Sequence, residues 1–146
     1  MRAITLYQPW ATCVALHGKN LENRTWNPPA ALIGKRIAIH AGKKFDVGIF
    51  WRLRSSGMIP PNSCERDFPL GCVVATAKIT GVISSSDSPW FLGPLAWTLT
   101  DVRAFSKPIQ AVGKMGIWEL GFDPDQERPE GVPKAPTDLI EPLFEF

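Results

Sequence analysis

Three charged residues fall within six positions of the chain, at a spacing that could form one polar site. Lys19 follows Gly18 at the end of a short helical segment, and Glu22 and Arg24 share one face of the strand-like segment that comes next. The Glu22 carboxylate could accept a proton or a hydrogen bond from the edge of a nucleic-acid base, while Lys19 and Arg24 could bind phosphate or carbonyl oxygens. The alternative is ordinary surface: Lys19 then complements the helix end, and Glu22 with Arg24 forms a weak exposed pair.

Aromatic side chains flank these charges. The chain has six tryptophans in 146 residues, and Trp10 and Trp26 lie on either side of Lys19 in the sequence. Most tryptophans pack in cores, so at least three of the six are expected to be buried. One or two that face a cleft would offer a surface on which a nucleic-acid base can stack.

Four further residues are candidates for ligand binding. Gln8 and Pro9 directly precede the first helical segment. Gln8 is a poor helix cap, so its side-chain amide could instead form hydrogen bonds with a ligand. His40 ends an apolar strand on the face opposite its isoleucines, where a core histidine with satisfied hydrogen bonds is the alternative. Lys114 is a candidate for phosphate binding.

Several kinds of site are missing from the sequence. No cysteine or histidine pair has the spacing of a zinc site, and no phosphate loop, dinucleotide fingerprint or nucleophile elbow occurs. We therefore expect no cofactor and no obligatory metal. No apolar run approaches the roughly 20 residues that cross a bilayer, so no membrane partner is expected either.

The pattern of apolar residues predicts short strands with two interposed helices. The predicted strands cover 2–6, 21–26, 36–41, 72–83, 95–105 and 113–120, and the predicted helices cover 9–17 and 44–54. Because the late strands have no helices between them, this order favours an α+β fold: a small mixed barrel of five or six strands with two or three short helices packed on it. The irregular segment 57–71 is a candidate lid.

Length and charge indicate one domain followed by a tail. Residues 1–122 have the size of one domain and a formal charge of +7, whereas residues 123–146 contain five prolines and carry −5. A basic body suits a phosphate-bearing partner, although ordinary solvated surface explains the same excess. The three cysteines make an odd number, which favours reduced thiols and a cytoplasmic protein.

Three motifs resemble those of the ASCH domain, a member of the PUA-like superfamily. They are Tyr7-Gln8-Pro9-Trp10, Gly18-Lys19-x-x-Glu22-x-Arg24-x-Trp26 and Ile37-Ala38-Ile39-His40-Ala41. The later segments 96–103 and 113–118 also fit, so the resemblance covers roughly residues 2–121. It implies a pseudo-barrel like that of RNA-binding PUA domains, with a ligand cleft between helix and sheet.

The resemblance also implies two possible kinds of activity. ASCH domains have been regarded as RNA-binding modules; one bacterial branch hydrolyses the acyl amide of N4-acetylcytidine, and a ribonuclease activity belongs to another. The cleft lysine of the amidohydrolase branch corresponds to Lys19. That branch has a threonine where this chain has Glu22, and it takes a glutamate from a strand that corresponds to 72–83, which contains no carboxylate here.

Two functions from different classes follow. The first is a domain that binds RNA or a nucleotide in a cleft lined by Lys19, Glu22 and Arg24 with flanking tryptophans. The second is a small hydrolase, acting on N4-acylated cytidine or on RNA, with Lys19 as base and Glu22 as proton shuttle. A third reading makes the acidic tail an interaction segment or a cover for the cleft.

Overall fold

The computed structural model describes residues 1–126, which form one mixed sheet of six strands with two helices. The strands are β1 (Arg2–Gln8), β2 (Leu21–Arg24), β3 (Arg36–Phe45), β4 (Cys72–Ile83), β5 (Leu95–Gln110) and β6 (Ile117–Glu119), and the helices are α1 (Trp10–Leu16) and α2 (Val47–Ser55). Single 3₁₀ turns cover Ala30–Leu32 and Glu65–Asp67. Most of the predicted acidic tail lies outside the described residues.

The sheet is open and does not close into a barrel. Its strand order is β2-β5-β4-β3-β1-β6, with β1 and β3 parallel and the other neighbours antiparallel. The predicted α+β fold with a small mixed sheet and short helices is therefore confirmed, while the expected barrel closure is absent, since β2 and β6 are opposite edges of the sheet.

Helix α1 packs across the middle of the sheet. It contacts β1, β3, β4 and β5, and its residues Ala11 and Val14 belong to the main core together with β-branched and small residues of those strands. A short helix of two turns has little stability of its own, so this buried face holds it in place.

A second apolar core lies beneath α2. Phe50 and Leu53 of that helix pack with Ile59 and Phe68, which come from the segment predicted to be a lid. Both of the latter side chains are 2% exposed, and of this whole segment only Gly71 lines the main cleft. The lid prediction is wrong because these apolar side chains anchor the segment in the second core.

The buried tryptophans agree with the sequence-based expectation. Trp90, Trp97 and Trp118 are buried, and Trp97 and Trp118 lie on β5 and β6. All three cysteines are free thiols, with Cys13 and Cys72 buried and Cys64 exposed. Burial raises the pKa of Cys13 to about 12 and that of Cys72 to about 11, so both remain protonated at neutral pH.

Candidate functional site

One open cleft of about 770 Å³ lies where the carboxyl ends of β1 and β3 meet the start of β2. Its size falls in the range of small-molecule sites. Of the candidate residues, six line it: Trp10, Lys19, Glu22, Arg24, His40 and Lys114. Residues of 111–116, the loop between β5 and β6, also line it.

Lys19 reaches the cleft because the chain turns sharply after α1. Gly18 has a φ of +75°, which favours glycine, and the Lys19 amide donates to the Cys13 carbonyl at 3.1 Å. The turn places the Lys19 ammonium 5.4 Å from the centre of the Trp10 ring. Only 2% of Lys19 is exposed, so its charge needs partners inside the protein.

Glu22 provides the main partner of Lys19. Lys19 Nζ donates to Glu22 Oε1 at 3.2 Å and to the Leu21 carbonyl, while Arg24 Nε donates to Glu22 Oε2 at 2.9 Å. The carboxylate thus has one cation on each oxygen. Lys19 and Glu22 are buried and Arg24 is partly buried, so the three charged groups form a largely buried ion triad, called the buried triad below, and not the weak surface pair that was the alternative.

Arg24 joins this triad to β1. Its Nη2 donates to the Thr5 carbonyl at 3.2 Å, so the guanidinium is held on two sides. Its carbon Cζ lies 5.9 Å from the centre of the Trp26 ring. Trp26 itself does not line the cleft: its ring packs edge-on against Trp97, and β2 ends at Arg24 before reaching it.

Gln8 and Pro9 are also outside the cleft lining. The Gln8 amide nitrogen donates to Thr12 Oγ1 at 2.7 Å and to the Pro69 carbonyl at 2.8 Å, and its oxygen accepts from the Thr12 amide at 3.0 Å. Gln8 therefore satisfies an amide in the first turn of α1 and fastens the 57–71 segment to it. Its amide is engaged by the protein, which is not the ligand contact that the sequence suggested.

His40 lines the cleft with both ring nitrogens engaged. Nε2 lies 2.7 Å from the Ala111 carbonyl, which can only accept, so Nε2 carries the proton in this bond. Nδ1 then accepts from Thr5 Oγ1 at 3.2 Å, and that hydroxyl accepts in turn from Trp118 Nε1 at 2.9 Å. Burial lowers the pKa of His40 below its ordinary 6.5, while its bond to Ala111 acts in the opposite direction.

Two lysines give the cleft its accessible positive charge. Lys43 lies near the cleft-lining end of β3, and Lys114 comes from the 111–116 loop; both are exposed, and neither has an ion pair within residues 1–126. Together with Lys19, Glu22 and Arg24, these two lysines make the charged residues of the lining four cations and one carboxylate. The cleft therefore carries a net charge of about +3, which suits an anionic ligand.

Some lining residues were not anticipated from the sequence. Tyr7 begins a recognised motif without having been a candidate site residue, Lys43 lies two positions after another motif, and the Lys44 ammonium lies 4.6 Å from the centre of the Tyr7 ring. The adjacent Lys43-Lys44 pair after His40 was a usable signal. Asn23 also lines the cleft, but its amide holds the loop before β5 by bonding Trp90, Leu92 and Gly93.

No metal or membrane feature accompanies this site. Within residues 1–126 there is no group of three or more His, Cys, Asp and Glu side chains arranged to hold a metal ion. The helices of that same part of the chain are all too short or too polar to cross a membrane.

Comparison with known proteins gives structural likeness only. The sequence matches no protein-family model and no curated protein. The structure is similar to the crystal structure of ASCH from Zymomonas mobilis, with 18% identity, a TM-score of 0.45, and coverage of 75% of this chain and 72% of that one. Two single-residue variants of the same Zymomonas mobilis protein match with the same identity and TM-score, covering 72% and 74% of their chains.

Proposed function

We propose that the cleft binds a nucleotide, either free or as one exposed nucleotide of single-stranded RNA. The observation that carries the proposal is the lining itself: about 770 Å³ with four cations, one carboxylate, the Trp10 indole and the Tyr7 phenol ring. Cations attract phosphate, and aromatic rings offer stacking surface to a base. The ASCH resemblance of the motifs supports the same class of ligand.

The two exposed lysines are assigned to phosphate. Lys43 and Lys114 both line the cleft; Lys43 lies near the end of β3, and Lys114 lies in the loop between β5 and β6. A lysine binds phosphate as a point charge, so its side chain needs no fixed geometry before the phosphate binds. The buried triad, by contrast, is fixed by its own contacts and is assigned to the base or the sugar.

Titration calorimetry tests this proposal. It measures binding of the four nucleoside monophosphates and of an eight-nucleotide single-stranded RNA. The double variant Lys43→Ala and Lys114→Ala should lose about tenfold or more in affinity while keeping its thermal midpoint, because both side chains are exposed. The matched control is Lys35→Ala with Lys78→Ala, two exposed lysines near the far end of β3. No binding by the unaltered protein would refute the proposal.

A second candidate function is hydrolysis, because Lys19 Nζ and Glu22 Oε1 lie 3.2 Å apart inside the cleft. On N4-acetylcytidine, water would add to the acyl carbon and the C–N bond would break, giving cytidine and acetate. Lys19 would pass a proton to Glu22 before acting as base, and the same pair would serve in a ribonuclease.

Chromatography of N4-acetylcytidine, longer acyl analogues and RNA after incubation with the protein tests this candidate. Release of cytidine or of shorter RNA, abolished by Lys19→Ala in a sample shown to be folded, would establish catalysis. No product from any of these substrates would leave binding as the function of the cleft.

A further inference from the structure

A second, smaller cavity of about 230 Å³ adjoins the main cleft. Trp10 and Leu92 line both cavities, so the two lie on either side of these side chains. The smaller cavity is bordered by the carboxyl-terminal half of α2 and by the loop that leads to β5. It lies outside the residues assigned above to phosphate and to the buried triad.

The lining of the second cavity is apolar and aromatic, with one cation. Trp10 and Trp90 contribute two indoles, and Leu53 and Met58 contribute aliphatic surface. Arg52 is exposed at its border, and no hydrogen bond or ion pair of its guanidinium occurs within the described residues. Arg54 on the same helix differs, since it donates to the Pro61 carbonyl at 2.6 Å and lies 5.0 Å from the Trp51 ring centre.

This combination suits a group that is flat and apolar and is attached to an anion. Aromatic walls bind a base through its π-face without regard to sequence, and an uncommitted guanidinium binds phosphate in a bidentate manner. A bare aliphatic chain would use the walls but leave Arg52 without a partner. A free phosphate would use Arg52 but not the two indoles.

We infer that the second cavity binds the base of a neighbouring nucleotide, with Arg52 on the phosphate that joins it to the nucleotide in the main cleft. The inference rests on the proposed function, because it requires a nucleotide in the main cleft. It makes the preferred ligand at least a dinucleotide. Trp10 then separates two base sites and contacts both.

Three ligands isolate the contribution of the second base. They are the nucleoside monophosphate that binds most tightly, its 3′,5′-bisphosphate, and the 5′-phosphorylated dinucleotide of the same base. The bisphosphate adds the second phosphate without the second base. Stacking of one base on an aromatic site corresponds to a gain of about 5- to 150-fold, so the dinucleotide should exceed the bisphosphate by that factor.

Variants of α2 assign that gain to the cavity. Ser56→Phe, which fills the cavity from its border, should reduce the gain of the dinucleotide over the bisphosphate. Arg52→Ala should weaken the dinucleotide and the bisphosphate alike, because both carry the phosphate assigned to Arg52, and both variants should leave monophosphate affinity unchanged. Ser56→Ala controls for loss of the bond from the Ser56 hydroxyl to the Leu53 carbonyl, and Arg66→Ala controls for loss of an exposed arginine outside both cavities. Both controls should bind like the unaltered protein.

Each outcome of the titrations is decisive. Equal affinity for dinucleotide and bisphosphate, with the monophosphate still bound, would overturn the second base site and leave the proposed function intact. A gain that persists in Ser56→Phe would place the second base elsewhere and overturn the inference as well. Failure of all three ligands to bind would refute the proposed function, and the inference with it.

Discussion

At the scale of single residues, Glu22 determines the charge balance of the cleft. Its two oxygens accept separately from Lys19 and Arg24, and all three side chains are at least three-quarters buried. A buried charge without a partner is costly, whereas a fully paired group is tolerated. The carboxylate therefore allows two cations to stand inside the protein next to a ligand site.

Replacing Glu22 by glutamine should destabilise the protein strongly. The amide keeps the shape of the side chain but removes the negative charge, so the Lys19 ammonium stays buried beside a second cation. Loss of one member of a buried ion pair costs about 3–5 kcal/mol, which urea unfolding would measure as a lower midpoint. The control is Asp87→Asn, which neutralises an exposed carboxylate and should leave the midpoint unchanged. An unchanged midpoint in both variants would contradict the ion-triad account.

The two histidines should make the protein less stable in mild acid. Burial lowers the pKa of both His17 and His40 below 6.5, so the folded state binds fewer protons than the unfolded chain. The stabilisation is complete above the unfolded pKa and is lost as the pH falls through 6.5 towards the folded values. The free energy of unfolding should thus fall below pH 6.5, by at most about 1.4 kcal/mol per pH unit for each histidine.

Proton NMR of the histidine rings measures the same effect directly. The chain contains only two histidines, so a His17→Gln variant leaves the His40 signal alone. That signal should titrate below 6.5 in the folded protein and near 6.5 in urea. A folded-state midpoint above 6.5 would show that His40 is stabilised as a cation, against the burial that lowers its pKa.

Residue types and spacing predicted part of the cleft. Lys19, Glu22 and Arg24 are close in sequence, and strand alternation was enough to place the latter two on one face. The placement of Gln8 was beyond the sequence, because the Pro69 carbonyl that holds its amide lies 61 positions away. Trp26 was misplaced because the predicted alternation continued past Arg24, where β2 ends.

At the scale of elements, the 111–116 loop is positioned by close contact with β1 and β3. A Cβ built on Gly113 would lie 2.4 Å from His40 Cε1 and 2.8 Å from Thr5 Oγ1, so glycine lets the loop approach the histidine. The His40 bond to Ala111 fixes the same loop from one side. The loop carries Lys114 to the cleft, so its position matters for binding as well as for stability.

Gly113→Ala should therefore destabilise the protein and weaken nucleotide binding together. Overpacking of this kind costs about 1–3 kcal/mol, and the loop must shift to relieve it. The control is Gly48→Ala in the exposed first turn of α2, where the nearest atom is 3.5 Å from the added Cβ and alanine favours the helix. Urea unfolding measures the stability of both variants, and calorimetry measures their nucleotide affinity. Equal stability and equal affinity in the two variants would show that the loop tolerates the added methyl group.

Strand prediction succeeded where local pattern decides the strand and failed where distant pairing does. The bounds of β4 agree with the apolar run 72–83, and its pairing with β5 shifts register between Ile79 and Gly81. Strand β5 continues to Gln110 instead of ending at 105, because its last residues pair with Cys72 and Val73 of β4. Strand β6 is limited to Ile117–Glu119 because only three of its residues pair with β1.

At the scale of the whole molecule, charge is distributed unevenly along the chain. The formal net charge is +2, and residues 127–146, outside the described part, account for five acidic and two basic side chains. Residues 1–126 thus carry +5, and four of their cations line one cleft. A net charge of this size spread evenly over the surface would attract RNA only weakly. Because the positive charge is concentrated at the cleft, RNA should be attracted to the cleft in particular.

The salt dependence of RNA binding tests this concentration of charge. For a single strand, the logarithm of the association constant falls by about 0.7 per tenfold rise in salt for each phosphate neutralised. Lys43→Ala and Lys114→Ala should each make that slope shallower by about 0.7, because each removes one phosphate contact. The control is Lys78→Ala, which removes an exposed lysine opposite the start of β3. It should change neither the slope of the salt dependence nor the affinity for RNA. If all three variants changed the slope equally, attraction would belong to the general positive charge of the body, and the cleft would not be the RNA site.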